Sequence, residues 1–186
     1  MYGLIHRALR DMIIDQHGYD TWMEISDASG VTSDAFLTMR PYDDEIAMSL
    51  AISAASILEQ PIEELWDSFG FYWITQFAPR EYHRLMNLAG DNPIEFLQNL
   101  DDLHDRISTS FIHFLPPSFR VSFSTSNSAI VTYSSSRTGL THFVLGMLKG
   151  LGPRFGVDMS INWVTPQEKA IGEACDIGIS FGNANA

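Results

Sequence analysis

Four side chains in this sequence are best suited to chemistry: Tyr133, Ser135 and Arg137 at alternate positions, and His104 in an apolar surround. On an extended strand, residues two apart point to one side, so a phenol, a hydroxyl and a planar guanidinium would converge. Such a set of donors suits carboxylates, each hydrogen bond to a charged partner being worth roughly 1.5 to 3 kcal/mol. A polar strand end facing water would show the same spacing. His104 lies between Leu100, Leu103 and Ile107, where an uncharged imidazole could face a buried cofactor and ligate its iron. A partly buried, hydrogen-bonded histidine of no special role would fit there too. His6, His17, His83 and His113 show no metal-ligand spacing and read as solvated or structural. Ser134, Ser135 and Ser136 have no nucleophile elbow and no recognisable histidine and acid partners, which leaves hydrolysis without support.

The elements that must position these groups follow from periodicity. Leu4, Ile5, Ala8, Leu9, Met12 and Ile13 recur at helical intervals up to Gly18, and further helices are expected over 21–28, 44–58, 61–77 and 80–88. Asn92-Pro93 starts another helix, carried by Phe96, Leu97, Leu100, Leu103, Ile107 and Phe111 until Pro116-Pro117 stops it. Phe119, Val121 and Phe123 then alternate with polar residues, and Ile130, Val131 and Tyr133 form the second arm of a hairpin. A helix over 140–148 runs to Gly150 and Gly152, and strands follow near 157–164 and 176–181. The order predicts an α+β fold: a mainly helical N-terminal part, then a small antiparallel sheet of about four strands with one inserted helix. Residues 182–186 read as a frayed tail.

Composition sets the bounds. The chain has 186 residues, 45% of them apolar and 12% aromatic, enough for one folded domain with a core and an apolar pocket. Twenty-three acidic residues against eleven basic ones give a net charge of -12, which opposes binding to nucleic acid or to an anionic membrane surface. No apolar run reaches bilayer length, and the first fourteen residues carry Arg10 and Asp11 in place of a signal-peptide core, so a cytoplasmic protein is expected. Cys175 is the single cysteine, which excludes intramolecular disulfides and thiolate metal clusters.

His104, the proline break, the hairpin and the Tyr133, Ser135, Arg137 strand, taken together, resemble the haem nitric oxide/oxygen binding (H-NOX) family over nearly the whole chain. The likeness is greatest to the sensory haem domain of soluble guanylate cyclase. It is carried by Met1-Tyr2-Gly3, Tyr42-Asp43-Asp44, Phe96-Leu97-Gln98-Asn99-Leu100, Leu103-His104-Asp105, Pro117-Ser118-Phe119-Arg120 and the stretch from Tyr133 to Arg137. The resemblance implies one non-covalent haem b between the two parts, a distal helical subdomain of about 1–63 and a proximal one of about 64–181. It makes His104 the iron ligand, gives Tyr133, Ser135 and Arg137 the propionates, and sets Pro117 and Ile5 against the macrocycle. By alignment Asp44 orients Arg137, although a carboxylate at a helix start also needs no other role.

Oxygen-binding members of that family carry a distal tyrosine where this chain has Phe143, a ring with no hydrogen-bond donor. Trp73 and Met147 fall in the same pocket. The implied function is a sensor that binds nitric oxide, and also carbon monoxide, but excludes oxygen. Nothing resembles a catalytic domain, so the expected partner is a separate histidine kinase or cyclic-dinucleotide enzyme. Two alternatives stay open. One is an oxygen-binding haem protein or haem redox enzyme using Trp73 or His142 as distal donor; the other is a haem-free interaction domain.

Overall fold

The computed structural model describes residues 1–31, 36–38, 40–109, 114–125 and 127–183. Phe111, His113 and the last three residues of the tail lie outside them. The chain forms two compact units, Met1–Phe69 and Gly70–Ala186, where the sequence placed the border near residue 63.

The N-terminal unit contains α1 (Gly3–His17), α2 (Tyr19–Ser29), α3 (Asp44–Ile57) and most of α4 (Ile62–Tyr72). Its core is Leu9, Met12, Ile13, Trp22, Ile25, Leu50, Ala51 and Ala54, all essentially without solvent exposure. Gly30, at φ +69°, ends α2 in the left-handed conformation and returns its N–H to the carbonyls of Asp27 and Ser26. Gly3 is required by space: a Cβ there would lie 2.3 Å from the Leu37 carbonyl oxygen.

The buried stripe of α1 differs from the expected one. Ile5 is half-buried, whereas His6 is fully buried. The imidazole is accommodated because its Nδ1–H donates to the Tyr2 carbonyl at 3.2 Å and its face stacks on Phe36 at 4.7 Å. Nε2 is buried with no hydrogen-bond partner among the described residues. Burial lowers the pKa from 6.5 to about 4, the nearby N-terminal ammonium adding to the effect and Asp44 opposing it. The folded state thus resists a proton that the unfolded chain accepts. Stability is full above about pH 6.5 and falls as the pH drops toward 4, by about 3 kcal/mol in all. Urea titrations between pH 4 and 7 should show a clearly shallower acid-side loss for His6→Leu than for the parent protein.

The C-terminal unit continues α4 into a π-helical turn (Trp73–Phe77), then α5 (Ala78–Leu88), α6 (Pro93–Gln98) and α7 (Leu100–Ser108). The Thr75 hydroxyl donates to the Phe71 carbonyl at 2.7 Å, a competing bond of the kind that loosens α geometry. The sequence predicted a single helix after Asn92. That residue does cap it, accepting from Glu95 N–H at 3.0 Å, but the helix breaks at Asn99, whose side-chain amide donates to the Ala89 carbonyl at 3.0 Å.

Strands β1 (Ser118–Thr125), β2 (Ser128–Ser135), β3 (Val157–Gln167) and β4 (Glu173–Asn183) form one antiparallel sheet in the order β1-β2-β4-β3. Helix α8 (Thr141–Phe155) is inserted between β2 and β3, so the α+β prediction holds. Val131, Tyr133, Ile177 and Ile179 bury one part of the sheet against Val144, Leu148 and Leu151. Gly150 and Gly152 do not end α8, which runs on to Gly156 in the left-handed region. They are packing glycines: a Cβ on Gly150 would meet Ile74 Cγ2 at 2.1 Å, and one on Gly152 the Val157 carbonyl at 3.0 Å.

Candidate cofactor site

Helix α7 carries His104 one turn after Asp101. The Asp101 carboxylate accepts from the Ser118 hydroxyl at 2.6 Å and from Phe119 N–H at 2.7 Å, which fixes α7 to the first residues of β1. The loop holding Pro117, itself half-buried, is confined between these anchors. Phe119 then bridges the histidine to the sheet: ring centroids are 6.3 Å apart for His104 and Phe119 and 5.6 Å for Phe119 and Tyr133. Register explains the second contact, since Phe119 is paired directly with Tyr133.

His104 is half-buried, and its Nδ1 is sealed from solvent with no hydrogen-bond partner among the described residues. Desolvation lowers its pKa, outweighing Asp101, the Pro117 backbone and Asp105, all of which favour the proton. A neutral imidazole is the form that binds a metal ion. Among the described residues no group of three His, Cys, Asp or Glu side chains could hold a metal on its own; a metal bound at His104 would need further ligands, such as those a cofactor brings.

Carboxylate-binding groups gather at the end of β2. Tyr133 and Ser135 are buried on the same face, as strand alternation predicted. Arg137 is not on the strand, which ends at Ser135; it follows a bend in which its own N–H donates to Ser135 Oγ at 3.0 Å. From there the guanidinium reaches back to the Leu115 carbonyl at 2.8 Å, in the loop that contains Pro117. Two residues without a sequence signal join them. Lys169 donates to Ser134 Oγ at 2.7 Å and to the Ser135 carbonyl at 2.8 Å, and Glu173 accepts from the Tyr133 hydroxyl at 3.2 Å. Burial pushes the Tyr133 hydroxyl up, so it stays a proton donor. These donors and His104 fit a haem: a neutral ligand for iron and, across one phenyl ring, cations and hydroxyls for two propionates.

Along α8, Phe143 and Met147 are half-buried while His142 is exposed. Phe143 meets Trp73 edge to face at 6.2 Å, and Trp73 stacks on Phe77 at 5.3 Å. The approach is close because Gly70 lies against the backbone of Phe143. Ile5 belongs to the N-terminal unit, as does Asp44, which stands in the first turn of α3 and is ion-paired with the Met1 amine.

Helices followed by a four-stranded antiparallel sheet, with a half-buried histidine and a cluster of hydroxyls and cations at the end of β2, make up the fold and its candidate site. The chain belongs to the haem-NO-binding family, whose sequence profile matches residues 2–163. Soluble guanylate cyclase gcy-31 of Caenorhabditis elegans is 29% identical over 154 residues, 81% of this chain and 22% of that protein. The soluble guanylate cyclase subunit beta-2 of Rattus norvegicus is 32% identical over 94 residues, 50% of this chain and 14% of that one. The chain thus spans about a fifth of the length of such relatives. An H-NOX structure determined to follow activation superposes with a TM-score of 0.88 at 20% identity, covering 98% of this chain and 97% of that one. An oxygen-binding H-NOX domain related to soluble guanylate cyclases gives 0.85 at 20% identity, covering 100% and 98%. Among the described residues no helix is long and apolar enough to cross a membrane.

Proposed function

We propose that this chain senses nitric oxide through one non-covalent haem b and excludes oxygen. His104 carries the reading: a half-buried histidine whose pKa is lowered by desolvation, whose Nδ1 is sealed with no hydrogen-bond partner among the described residues, and which Phe119 links to Tyr133. Haem would supply a ferrous iron able to take nitric oxide or carbon monoxide. The His104 imidazole would hold that iron, and Tyr133, Ser135 and Arg137 would bind the propionates. Pro117, in a loop fixed by Asp101 and Arg137, would lie against the ring. A change of strain at His104 passes along α7 to β1 through the two Asp101 hydrogen bonds.

Selectivity rests on Phe143. Its ring offers no proton to a polar, partly anionic ligand, whereas nearly apolar nitric oxide needs none. His142 is exposed, which speaks for Phe143 as the residue facing the ligand. The reduced protein should therefore keep its spectrum in air, and Phe143→Tyr, which adds a hydroxyl, should convert it to an oxygen-bound spectrum within the same exposure. A second reading, an oxygen-binding or redox haem protein, rests on the indole N–H of Trp73 beside Phe143. Oxygen uptake by the parent protein that disappears in Trp73→Phe would establish it instead. For the output, the guanylate cyclase relatives favour a nucleotide cyclase over the histidine kinase or cyclic-dinucleotide enzyme expected from the sequence.

A further inference from the structure

Glu173 opens β4 and is paired in register with Ser135. Its carboxylate serves two elements at once. Oε1 accepts from the Tyr133 hydroxyl at 3.2 Å and from Leu140 N–H at 2.9 Å, and Oε2 accepts from Gly139 N–H at 2.8 Å. Leu140 is the N-cap residue of α8 and has no side-chain cap of its own. A carboxylate from another strand thus accepts from the N–H of the N-cap residue and of the residue before it, the bond that the glutamate of a capping box accepts, near the positive end of the helix dipole. Gly172 makes the approach possible: with φ +85° it sits where a Cβ would lie 2.0 Å from the Ser135 carbonyl, which keeps the Glu173 backbone tight against β2.

We infer that Glu173 is a positioning residue that couples the propionate receptor at Tyr133 to the first turn of α8, the helix that carries Phe143 and Met147. The inference rests on the reading that Tyr133 binds a propionate. A phenol has one proton to donate. In the structure Tyr133 gives it to Glu173; a propionate carboxylate that takes it leaves Glu173 bonded to Gly139 and Leu140 alone and places a second negative charge nearby. Occupancy of the receptor therefore changes how firmly the start of α8 is held. The gas-facing side of α8 senses the propionate side of the cofactor through one carboxylate.

Amide hydrogen exchange of the segment 139–143 reads this directly in the full chain, without and with haemin. Without haemin, Glu173→Ala should accelerate exchange there at least about tenfold, the loss expected for about 1.4 kcal/mol of local stabilisation. Glu173→Gln, which keeps an acceptor, should change it less, and circular dichroism confirms that both variants fold. With haemin bound, as a Soret band reports, exchange in this segment should differ from the haemin-free protein, and Tyr133→Phe should abolish that difference. Unchanged exchange in Glu173→Ala, or a haemin response that survives Tyr133→Phe, would overturn the coupling. A parent protein that shows no Soret band would reject the haem reading, and the haemin-free comparison would still decide whether Glu173 holds α8.

Discussion

His104→Gly should purify without retained haem, with affinity for haemin lowered by more than about 100-fold, because losing even an outer partner of a metal ligand typically costs 10- to 100-fold. Free imidazole at millimolar concentration should restore a ferrous Soret band by refilling the space the side chain leaves. The size of the effect follows from the site. Among the described residues no other cluster could take over the metal, while Tyr133, Ser135 and Arg137 would offer the propionates hydrogen bonds but the iron nothing. Nitric oxide should then have no protein-linked bond to release. With imidazole supplied, solution scattering should give the same profile with and without the gas. A variant that retained haem unaided, with an unaltered spectrum, would show that another residue is the ligand.

Gly70→Ala should be among the most damaging small substitutions in the C-terminal unit. Its added Cβ would lie 1.9 Å from the Phe143 carbonyl oxygen and 2.8 Å from Met147 N, both backbone atoms of α8 that cannot move without shifting the helix. Overpacking of this kind costs about 3 kcal/mol, or about 6 to 12 °C in melting temperature for a chain of this size. Gly150→Ala is the internal control. The obstacle there is a side-chain atom, Ile74 Cγ2 at 2.1 Å, while the nearest backbone atom, the Phe71 oxygen, is 3.4 Å away, so its loss should be smaller. Differential scanning calorimetry of the two variants checks the order. The damage should also reach the site, since Gly70 sets the distance at which Phe143 meets Trp73.

Periodicity made most elements legible, because the apolar stripes of α1, α3 and α8 and the alternation in β1 and β2 each face a core. It failed where local chemistry competes with the pattern. Asn99 keeps the apolar spacing of one long helix, yet its side chain is engaged by the Ala89 carbonyl and the helix divides. Gly150 and Gly152 carry the residue type of a helix end, but are needed because Ile74 and β3 approach α8 closely. His6 breaks the apolar stripe in sequence and is nonetheless sealed in the core, since Tyr2 and Phe36 satisfy one nitrogen and one face.

The candidate site was legible only where residues lie close along the chain. Tyr133 and Ser135 followed from strand alternation. Asp101 stands three residues before His104, a spacing that puts it on a neighbouring face of α7, but nothing local indicates that it clamps β1. Lys169 and Glu173 lie more than thirty residues beyond Tyr133 in a stretch with no motif. Only the pairing of β2 with β4, which sets Glu173 opposite Ser135, brings them to the receptor. The role proposed for His104 comes from resemblance; the structure adds that desolvation lowers its pKa against the pull of Asp101 and Asp105.

The optical spectrum of the dithionite-reduced protein, recorded under argon, then in air, then with nitric oxide, tests the central proposal most directly. A sensor built on His104 and Phe143 should show a ferrous Soret band under argon, keep it in air, and shift it on adding nitric oxide to a form in which the bond to His104 is broken. Conversion to a stable oxygen-bound spectrum in air would contradict oxygen exclusion, and a protein without any haem band after reconstitution with haemin would contradict the haem site itself.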